Sequence, residues 1–351
     1  MKTIRDIDIK DKTVLVRVDY NVPLKNGAVE SDFRIRASLP TLNYLRDHGA
    51  KQIFLISHLG RPEGPDAKFS LAPVAKTLNN LIGNVTFIPD FTSLDNSNQK
   101  ATKTPAPIFL LENLRFFPGE KSNDPAFIKQ IIDATHPDFY VQDGFAVVHR
   151  AHASTDAVKN FLPIYAGLLL EKELKNLKNA TENPEKPLLL ILGGAKVEDK
   201  APLIVKFQNQ ADQIVIGGKI AADGYNSTAK NIYVAEDFDE DSKGDKLDVG
   251  PISMTKIANS ITDANTIIWN GLLGYAEDPA YATASTITAE LMGEKQGATT
   301  IVCGGDTTAF VEELMREHEN LQYSLVSTGG GAALEYLLNG ENLPGIQAIE
   351  K

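Results

Sequence analysis

Short, mainly apolar runs alternate with longer amphipathic stretches along nearly the whole of this 351-residue chain. Apolar runs without internal alternation are typical of strands buried on both faces of a parallel sheet. The stretches between them have the length and apolar spacing of helices that cover such a sheet. The runs of the first half are TVLVRVDY, QIFLISH, VTFI, PIFLLEN and DFYVQDGF, and those of the second are PLLLILGG, QIVIGG, NIYVAE, TIIWNG, TTIVCGG and YSLVST. The alternation predicts an α/β protein made of repeated βαβ units.

The rhythm starts again near residue 186, which indicates two domains. The length agrees, since one hydrophobic core rarely serves so many residues. We expect two Rossmann-like three-layer αβα domains with mainly parallel sheets, over 1–165 and 188–339, joined by a helix and a Pro-containing linker within 166–187. The charged helical pattern from Glu171 to Lys178 predicts the connecting helix, and 236–248 is expected to be an acidic, polar loop. Further helices are predicted near 34–48, 70–82, 123–135, 199–209 and 254–264.

Composition excludes several classes of protein. The chain is 42% apolar and 23% charged, as ordinary globular proteins are, and its formal charge of −11 argues against a general nucleic-acid or membrane binder. The single cysteine, Cys303, excludes an intramolecular disulfide, and the N-terminus has no apolar signal core. No apolar run approaches the ~20 residues of a membrane helix. We therefore expect a cytoplasmic protein in which any anion site is a local cluster of Lys and Arg.

Cationic and polar side chains follow several predicted strands of the first half. In open α/β sheets, ligands bind beyond the carboxyl ends of the strands. That edge collects Asp19, Asn21, Arg34, His58, Arg61, Arg115 and Arg150. Converging guanidinium groups match phosphate or carboxylate oxygens, so the cluster favours a pocket for a small polyanion, with Asp19 and Asn21 suited to a hydroxyl group. Any one of these arginines could instead be a solvated surface residue, and His149 with His152 raises the alternative of a metal site, although no other Cys or carboxylate has the required spacing.

Glycine-rich turns follow three predicted strands of the second half. LGGAKVEDK places Lys196 and Lys200 four residues apart, which is one turn if a helix begins there. CGGDTTA and STGGGAALE add two more turns, the first of them with Asp306. Glycines at such turns let backbone N–H groups approach phosphate oxygens, and a carboxylate beside them suits Mg²⁺. No GxxxxGK[ST] motif occurs, but three turns together favour a nucleotide site, and with the anion pocket they indicate phosphoryl transfer across a closing cleft that excludes water.

These motifs, in this order, resemble those of the phosphoglycerate kinase family. The matching stretches lie between residues 13 and 338 and are VLVRVDYNVPL, SHLGRP, SLAPVA, LLENLRFFPGE, HRAHAST, GGAKVEDK, DVGP, WNG, GGDT and STGGGA. The resemblance implies a hinge-bending, monomeric glycolytic enzyme that transfers a phosphoryl group reversibly between 1,3-bisphosphoglycerate and MgADP, giving 3-phosphoglycerate and MgATP. It also implies that the C-terminal tail, 340–351, packs back on the first domain.

The resemblance also implies roles for individual residues. Triose phosphate would be bound by Asp19, Asn21, Arg34, His58, Leu59, Gly60, Arg61, Arg115 and Arg150. The nucleotide would be bound by Gly194, Lys200, Asn270, Glu277, Gly304, Gly305, Asp306, Thr307, Gly329 and Gly330. Arg34, Lys196 and Lys200 would act in catalysis by neutralising charge on the phosphoryl group in flight. Asp306 would be the Mg²⁺ ligand, through the nucleotide phosphates.

Departures from the family pattern lie mostly in the second half. The family usually has a third glycine and a long helical segment where IGGKIAADGYNSTAKNIYVAEDF passes almost at once to the next strand. A few dozen residues that wall the nucleotide pocket are therefore expected to be missing. Leu272 stands in place of a proline, Ala276 in place of the aromatic residue before the glutamate, and Cys303 in place of a glycine. In the first half, QDGFAVV stands where the family has NDAFGTA.

Two alternatives to an active phosphoglycerate kinase remain. One is a catalytically impaired or repurposed relative that binds a phosphorylated small molecule or a protein partner, which the missing pocket wall favours. Retention of Arg34, Lys196, Lys200 and Asp306 together favours the kinase, because a binding module would not need all four. The other is a kinase for a different carboxylate or phosphate acceptor, which the well-matched triose-phosphate residues disfavour.

Overall fold

The computed structural model describes residues 1–94 and 105–350. The chain divides into two compact units, the first comprising Met1–Lys172 with the segment that begins at Glu341, and the second Glu173–Gly340. The boundary falls inside a helix that runs from Leu168 to Glu182. The last residue of the predicted tail, Lys351, lies outside the described residues.

The first unit is built around a six-stranded parallel sheet. Its strands are β1 (Thr13–Arg17), β4 (Gln52–Ile56), β5 (Val85–Ile88), β6 (Ile108–Leu111), β7 (Phe139–Gln142) and β8 (Ile164–Ala166), with a short hairpin of β2 (Leu24–Lys25) and β3 (Ala28–Val29) between β1 and β4. They lie in the order β5-β6-β4-β1-β7-β8. Every residue of β1, β4 and β7 is buried, as expected of central strands covered on both faces.

Helices connect these strands. They are α1 (Phe33–Asp47), α2 (Ala72–Ile82), α3 (Pro118–Lys121), α4 (Pro125–Thr135) and the start of α5 (Leu168–Glu182), with 3-10 turns at Ala67–Phe69, Phe91–Ser93, Leu114–Phe116, Phe145–Val147 and Ala157–Asn160. Local chemistry sets their ends. The α4 helix, for example, begins where the Asp124 carboxylate accepts the Ala126 N–H and Pro125 takes the first helical position, and it ends at His136 in a left-handed conformation.

The second unit repeats this architecture with the sheet order β11-β10-β9-β14-β15-β16, also parallel. The strands are β9 (Leu188–Leu192), β10 (Gln213–Ile216), β11 (Ile232–Val234), β14 (Thr266–Asn270), β15 (Thr299–Cys303) and β16 (Leu325–Val326), and a separate antiparallel hairpin contains β12 (Phe238–Glu240) and β13 (Lys246–Val249). The helices are α6 (Val197–Phe207), α7 (Gly218–Ala222), α8 (Pro251–Asp263), α9 (Thr283–Glu294), α10 (Gly305–Glu317) and α11 (Gly330–Asn339), with a 3-10 turn at Pro279–Tyr281. In the described part of the chain, no helix combines the length and apolar character needed to cross a bilayer.

Two parallel-sheet α/β units confirm the predicted fold class. The connecting helix is longer than the predicted segment from Glu171 to Lys178, since it begins three residues earlier and ends four residues later. No strand was predicted directly before it, but Ile164–Ala166 pairs with β7 as the edge strand β8. The prediction of a loop over 236–248 was wrong in part: a surface ribbon, β12–β13, occupies it, in which Asp239, Glu240 and Lys246 are exposed and Asp248 is buried.

The C-terminal segment lies on the first unit. It contains α12 (Pro344–Gln347), and the Glu350 N–H donates to the carbonyl of Ile164 at 2.9 Å. Gly345 lies so close to Val148 that a Cβ on the glycine would be 2.8 Å from the Val148 Cα. The N-terminus joins the same edge, because the Lys2 N–H donates to the carbonyl of Glu350 at 2.7 Å.

Candidate active site

The candidate site of the first unit lies at the carboxyl ends of its four central strands. Because β6, β4, β1 and β7 are neighbours in the sheet, the loops that follow them begin side by side. These loops carry Asn113 and Arg115 after β6, His58 after β4, Asp19 after β1 and Arg150 after β7. The sheet order therefore brings together side chains that are more than a hundred residues apart in sequence.

Asp19 and Arg34 form an ion pair in this loop cluster. Nη1 of Arg34 lies 2.5 Å from Oδ2 of Asp19, and the two side chains are 27% and 1% exposed. The other carboxylate oxygen of Asp19 accepts the N–H of Asn21 at 3.3 Å, and the Asn21 side-chain oxygen accepts the N–H of Gly60 at 2.8 Å. A buried carboxylate thus holds one edge of the Arg34 guanidinium and leaves part of it accessible to a ligand.

Asn113 is fully buried and ties the loops after β4 and β6 together. Its Oδ1 accepts the N–H groups of Leu59 and Arg115, and its Nδ2 donates to the carbonyls of Leu59 and Phe69. Arg115 in turn donates to the carbonyl of Gly60. Gly60 has φ +62°, and a Cβ there would lie 2.3 Å from the Phe69 ring, so this turn requires glycine.

His58 is fixed by Arg17, a residue that the sequence patterns did not single out. Arg17 is 1% exposed, and its Nη1 donates to the carbonyls of Val18 and Ile56. Its Nη2 lies 3.2 Å from Nδ1 of His58 and donates that hydrogen bond, because a guanidinium has no acceptor. Burial and then the neighbouring guanidinium groups lower the pKa of His58 well below its ordinary value, so the ring is neutral. Its proton is therefore on Nε2, which can donate to an anion.

Positive charges in the pocket repel one another. Burial, followed by Arg150 and Arg17, lowers the pKa of Arg115 to about 10. Burial, followed by Arg61, also lowers the pKa of Arg150. Arg61 is exposed at the edge of the cluster, whereas Arg115 is buried. A polyanion bound here would relieve this repulsion, so the electrostatics of the first unit favour a small, multiply charged ligand.

The two histidines of HRAHAS contact an arginine and a glutamate. Nε of Arg150 donates to Nε2 of His149 at 3.1 Å, and Nδ1 of His152 lies 3.8 Å from a carboxylate oxygen of Glu120. Burial lowers the pKa of both histidines to about 4, so both are neutral near pH 7. Over residues 1–94 and 105–350, no group of three or more His, Cys, Asp or Glu side chains is placed to hold a metal ion.

The second unit has a cleft of about 930 Å³ at the carboxyl ends of its strands. Backbone forms its floor: a Cβ on Gly193 would lie 2.2 Å from the carbonyl oxygen of Leu272, and one on Gly218 would lie 2.6 Å from the same atom. By contrast, a Cβ on Gly305 would meet nothing within 4 Å, so a ligand can approach this backbone closely. The predicted residues on the cleft lining are Gly194, Lys196, Lys200, Asn270, Glu277, Gly304, Gly305, Asp306 and Thr307.

Lys196 and Lys200 lie where the helix after β9 begins. Lys196 is the residue before α6, and Lys200 is in its first turn. Nζ of Lys200 donates to Oδ1 of Asn270, whose Nδ2 donates to Sγ of Cys303 at 3.3 Å. Burial lowers the pKa of Lys200 and raises that of the Cys303 thiol to about 11, so the thiol stays protonated. Asn270 is 1% exposed and therefore acts here by orienting Lys200.

Asp306 lies in the first turn of α10 and is exposed to the cleft. The neighbouring Thr307 is buried, and its hydroxyl accepts the N–H of Gly271 at 2.9 Å, which ties the helix start to the loop after β14. One exposed carboxylate beside open glycine backbone fits Mg²⁺, which takes few protein carboxylates and completes its coordination with phosphate oxygens and water. The residues present therefore suit a metal–nucleotide complex.

Gly329 and Gly330 lie at the start of α11. Gly329 precedes α11 and is buried. A Cβ on Gly330 would lie 2.6 Å from the backbone nitrogen of Gly305. In the described part of the chain, the cleft lining does not include either glycine. Their observed contribution is close packing of one helix start against another.

Several residues of the cleft lining that the sequence analysis did not predict lie in or near α7 and the β12–β13 hairpin. Lys219 in α7 forms an ion pair with Asp223 at 2.9 Å. Nζ of Lys246 lies 4.9 Å from the centroid of the Phe238 ring. Tyr275, after β14, is 49% exposed. Two features of the sequence could have pointed to these residues. Lys219 stands where the family usually has its third glycine, and an aromatic residue stands at 275 instead of 276.

Comparison with known proteins points in one direction. The family model for phosphoglycerate kinase matches residues 4–232 and 222–341. The chain is 38% identical to the phosphoglycerate kinase of Dictyoglomus turgidum and 39% identical to that of Thermosipho africanus, covering 99% of this chain and 98% and 97% of the relatives. The solved phosphoglycerate kinase of Coxiella burnetii matches with a TM-score of 0.79 and 32% identity, and that of Pyrococcus horikoshii with 0.84 and 26%, each covering 99% of this chain and 98% of the other.

The same comparisons show where this chain is shorter. The alignment with the Dictyoglomus protein runs over 393 positions, so at least 42 of them hold no residue of this 351-residue chain. The family match consists of two segments that overlap at residues 222–232, where the five-residue α7 ends and β11 begins. This agrees with the prediction that a helical segment is missing after the second glycine-rich turn.

Proposed function

This chain belongs to the phosphoglycerate kinase family, and we propose that it transfers a phosphoryl group reversibly between 1,3-bisphosphoglycerate and MgADP, giving 3-phosphoglycerate and MgATP. The observation that carries this proposal is the pairing of two half-sites in one chain. The first unit has a pocket of interacting arginines, and the second has a glycine-floored cleft with Lys196, Lys200 and Asp306 on its lining.

We assign the triose phosphate to the first unit. Arg61, Arg115 and Arg150 would bind its phosphate, and the neutral His58 would donate from Nε2. Asp19 and Asn21 would bind the hydroxyl group. Arg34 would keep one face toward Asp19 and turn the other toward the carboxylate that accepts the phosphoryl group. The mutual repulsion of the arginines and the burial of His58 support this assignment.

We assign the nucleotide to the second unit. The backbone at Gly304 and Gly305 would donate N–H groups to its phosphates, with open space beside Gly305, and Lys200, oriented by Asn270, would bind them through its positive charge. Asp306 would hold Mg²⁺, which neutralises phosphate charge when bound. Glu277 would contact the ribose. Gly329 and Gly330 would act indirectly, through the position of α10.

In the direction of ATP use, a carboxylate oxygen of 3-phosphoglycerate attacks the γ-phosphorus, a new C–O–P linkage forms, and the bond from the γ-phosphorus to the β–γ bridging oxygen breaks, so ADP leaves with the electron pair. No protein nucleophile is needed. Arg34, Lys196 and Lys200 would stabilise the charge on the transferring group. The reactants bind to separate units, so transfer requires a closing movement that also excludes water.

A coupled assay for 1,3-bisphosphoglycerate formation from 3-phosphoglycerate and MgATP tests the proposal. We expect turnover in the unaltered protein and a fall in kcat of about 10³-fold in Arg34→Ala and in Lys196→Ala, because each removes a charge from the transferring group. Arg36→Ala is the matched control for the first, since Arg36 pairs with Asp32 on the outside of the same helix. Lys230→Ala, at an exposed position away from the cleft lining, is the control for the second.

No turnover at millimolar nucleotide, with 3-phosphoglycerate still bound, would contradict the kinase and leave the binding-protein alternative. Turnover only with another acceptor would indicate a different kinase. We further propose that the protein is a monomer and acts in the cytoplasm, without nucleic-acid or membrane partners. The charge of −11 supports the absence of such partners. Light scattering during size-exclusion chromatography tests whether the protein is a monomer.

A further inference from the structure

The strand order gives the nucleotide cleft two distinct ends. β15, which leads into α10, and β10, which leads into α7, are separated by β14 and β9. Three strand spacings amount to about 14 Å, which is close to the length of an extended nucleoside triphosphate. With its phosphates at α6 and α10, a nucleotide would therefore place its base near α7 and the β12–β13 hairpin.

The α7 end of the cleft has little wall. The α7 helix has only five residues, and the family match divides there into two overlapping segments. The lysines on this part of the lining already have partners, Lys219 with Asp223 and Lys246 with the ring of Phe238. Lys219, Asp223 and Lys246 are all exposed, and water competes for exposed polar groups. These three side chains would therefore contribute little to the affinity for the polar edge of a base.

Tyr275 is the exception at this end. Five large hydrophobic side chains are exposed in the described residues, and Tyr275 is the one among them on the cleft lining. Its backbone is held on both sides. Its N–H donates to the carbonyl of Leu247 at 2.8 Å, and a Cβ on the preceding Gly274 would lie 2.1 Å from the buried carboxylate of Asp248. A rigid backbone thus presents an aromatic ring at the open end of the cleft.

Resting on the proposed function, we infer that Tyr275 supplies the stacking face for the base of the nucleotide, in place of the missing wall. Every base has a π-face, and stacking of a base on an aromatic side chain changes affinity by about 5- to 150-fold. Because stacking does not read the edge of a base, removal of the ring should affect ATP and GTP alike.

Three variants distinguish the effect of the aromatic ring from the effects of the hydroxyl group and of side-chain volume: Tyr275→Phe, Tyr275→Leu and Tyr275→Ala. The KM for MgATP and MgGTP, the kcat and the Kd of MgADP by calorimetry are measured for each, with inorganic tripolyphosphate as a competitor that has no base. Ile252→Ala is the control, since Ile252 is 60% exposed on α8 and is not on the cleft lining.

We expect Tyr275→Ala to raise the KM for both nucleotides and the Kd of MgADP by 5- to 150-fold, with kcat within twofold and the Ki of tripolyphosphate unchanged. Tyr275→Phe should stay within twofold, and Tyr275→Leu should lie between the two. A Kd of MgADP within twofold in Tyr275→Ala would overturn the inference, and so would a parallel rise in the Ki of tripolyphosphate. The Kd of MgADP tests the role of Tyr275, and turnover tests the kinase. Weaker MgADP binding by Tyr275→Ala, in a protein without turnover, would support the role of Tyr275 and contradict the kinase. Turnover together with an unchanged Kd in Tyr275→Ala would support the kinase and contradict the role of Tyr275.

Discussion

The two units present their ligand-binding surfaces in different ways. In the first, the pocket is made of buried side chains with fixed partners: Asp19, His58 and Asn113 are each less than 5% exposed. In the second, the floor of the cleft is glycine backbone, and Lys219 and Tyr275 on its lining are exposed. Removal of a buried, hydrogen-bonded group leaves its partners unpaired in the protein interior, whereas water replaces the partners of an exposed one. We therefore expect the first surface to tolerate substitution less well than the second.

The largest expected effect is in the second unit, at a half-buried charged side chain of the cleft lining. Lys200→Ala removes the cation that Asn270 orients, and we expect kcat to fall about 10³-fold with the KM for 3-phosphoglycerate unchanged. Lys206→Ala on the same helix is the control, since Lys206 donates to the carbonyl of Leu338. Steady-state kinetics checks this, and a fall in kcat below tenfold would show that the backbone alone carries the phosphates.

A second test concerns the cost of burial in the first unit. Asp143 is fully buried at the start of α5, where its Oδ1 accepts the N–H groups of Leu169 and Leu170, and burial raises its pKa to about 7. The unfolded chain releases this proton near pH 4, whereas the folded protein keeps it until about pH 7. The unfolded state thus binds fewer protons between these values, and the contribution of Asp143 to stability falls by roughly 4 kcal/mol as the pH rises from 4 to 8.

Asp143→Asn should remove this dependence and stabilise the first unit at pH 8 relative to the unaltered protein. Hydrogen exchange of the β1 and β7 amides, corrected for intrinsic rates at each pH, measures it within one unit. Asp133→Asn is the control, because Asp133 is an exposed partner of Lys129. Equal pH slopes for Asp143→Asn and the unaltered protein would contradict the assigned pKa.

A third test removes the brace of the first pocket. Asn113→Ala deletes four hydrogen bonds and leaves buried backbone groups of Leu59 and Phe69 unpaired, so we expect a loss of about 3 kcal/mol in the stability of the first sheet. The KM for 3-phosphoglycerate should rise at least about tenfold, since Arg115 and Gly60 lose their common support. Asn339→Ala, at an exposed pair with Glu335, should change neither. An unchanged KM would show that the loops keep their positions without Asn113.

The smallest effect is expected at the open end of the second cleft. Lys219→Ala removes an exposed partner of Asp223, and such pairs contribute about 0–1 kcal/mol. The KM for MgATP should therefore change less than about threefold, in contrast to Tyr275→Ala. Kinetics with MgATP measures this. A tenfold rise would mean that Lys219 binds a nucleotide phosphate and that this end of the cleft is not the base end.

Much of the site was predictable because its residues follow strands. Asp19, His58, Arg115 and Arg150 stand directly after or shortly after apolar runs, and parallel strands bring such positions to one edge of a sheet. Arg17 was not singled out, since a charge inside an apolar run gives no indication of its partners. Tyr275 was also missed, because an exposed aromatic residue in a loop has no periodic signal. The segment 236–248 has only two apolar residues, Phe238 and Leu247, so its sequence was indistinguishable from that of a polar loop.

The sequence by itself determined the α/β class, the two-fold repetition and the positions where strands end, because these depend on local periodicity and on which segments must be buried. Only the tertiary structure decided which loops are neighbours, which nitrogen of His58 carries the proton, that Asn270 orients Lys200 and that Gly330 packs against the start of α10. These depend on the order of strands in a sheet and on close approaches between residues far apart in the chain, and neither leaves a pattern in the sequence.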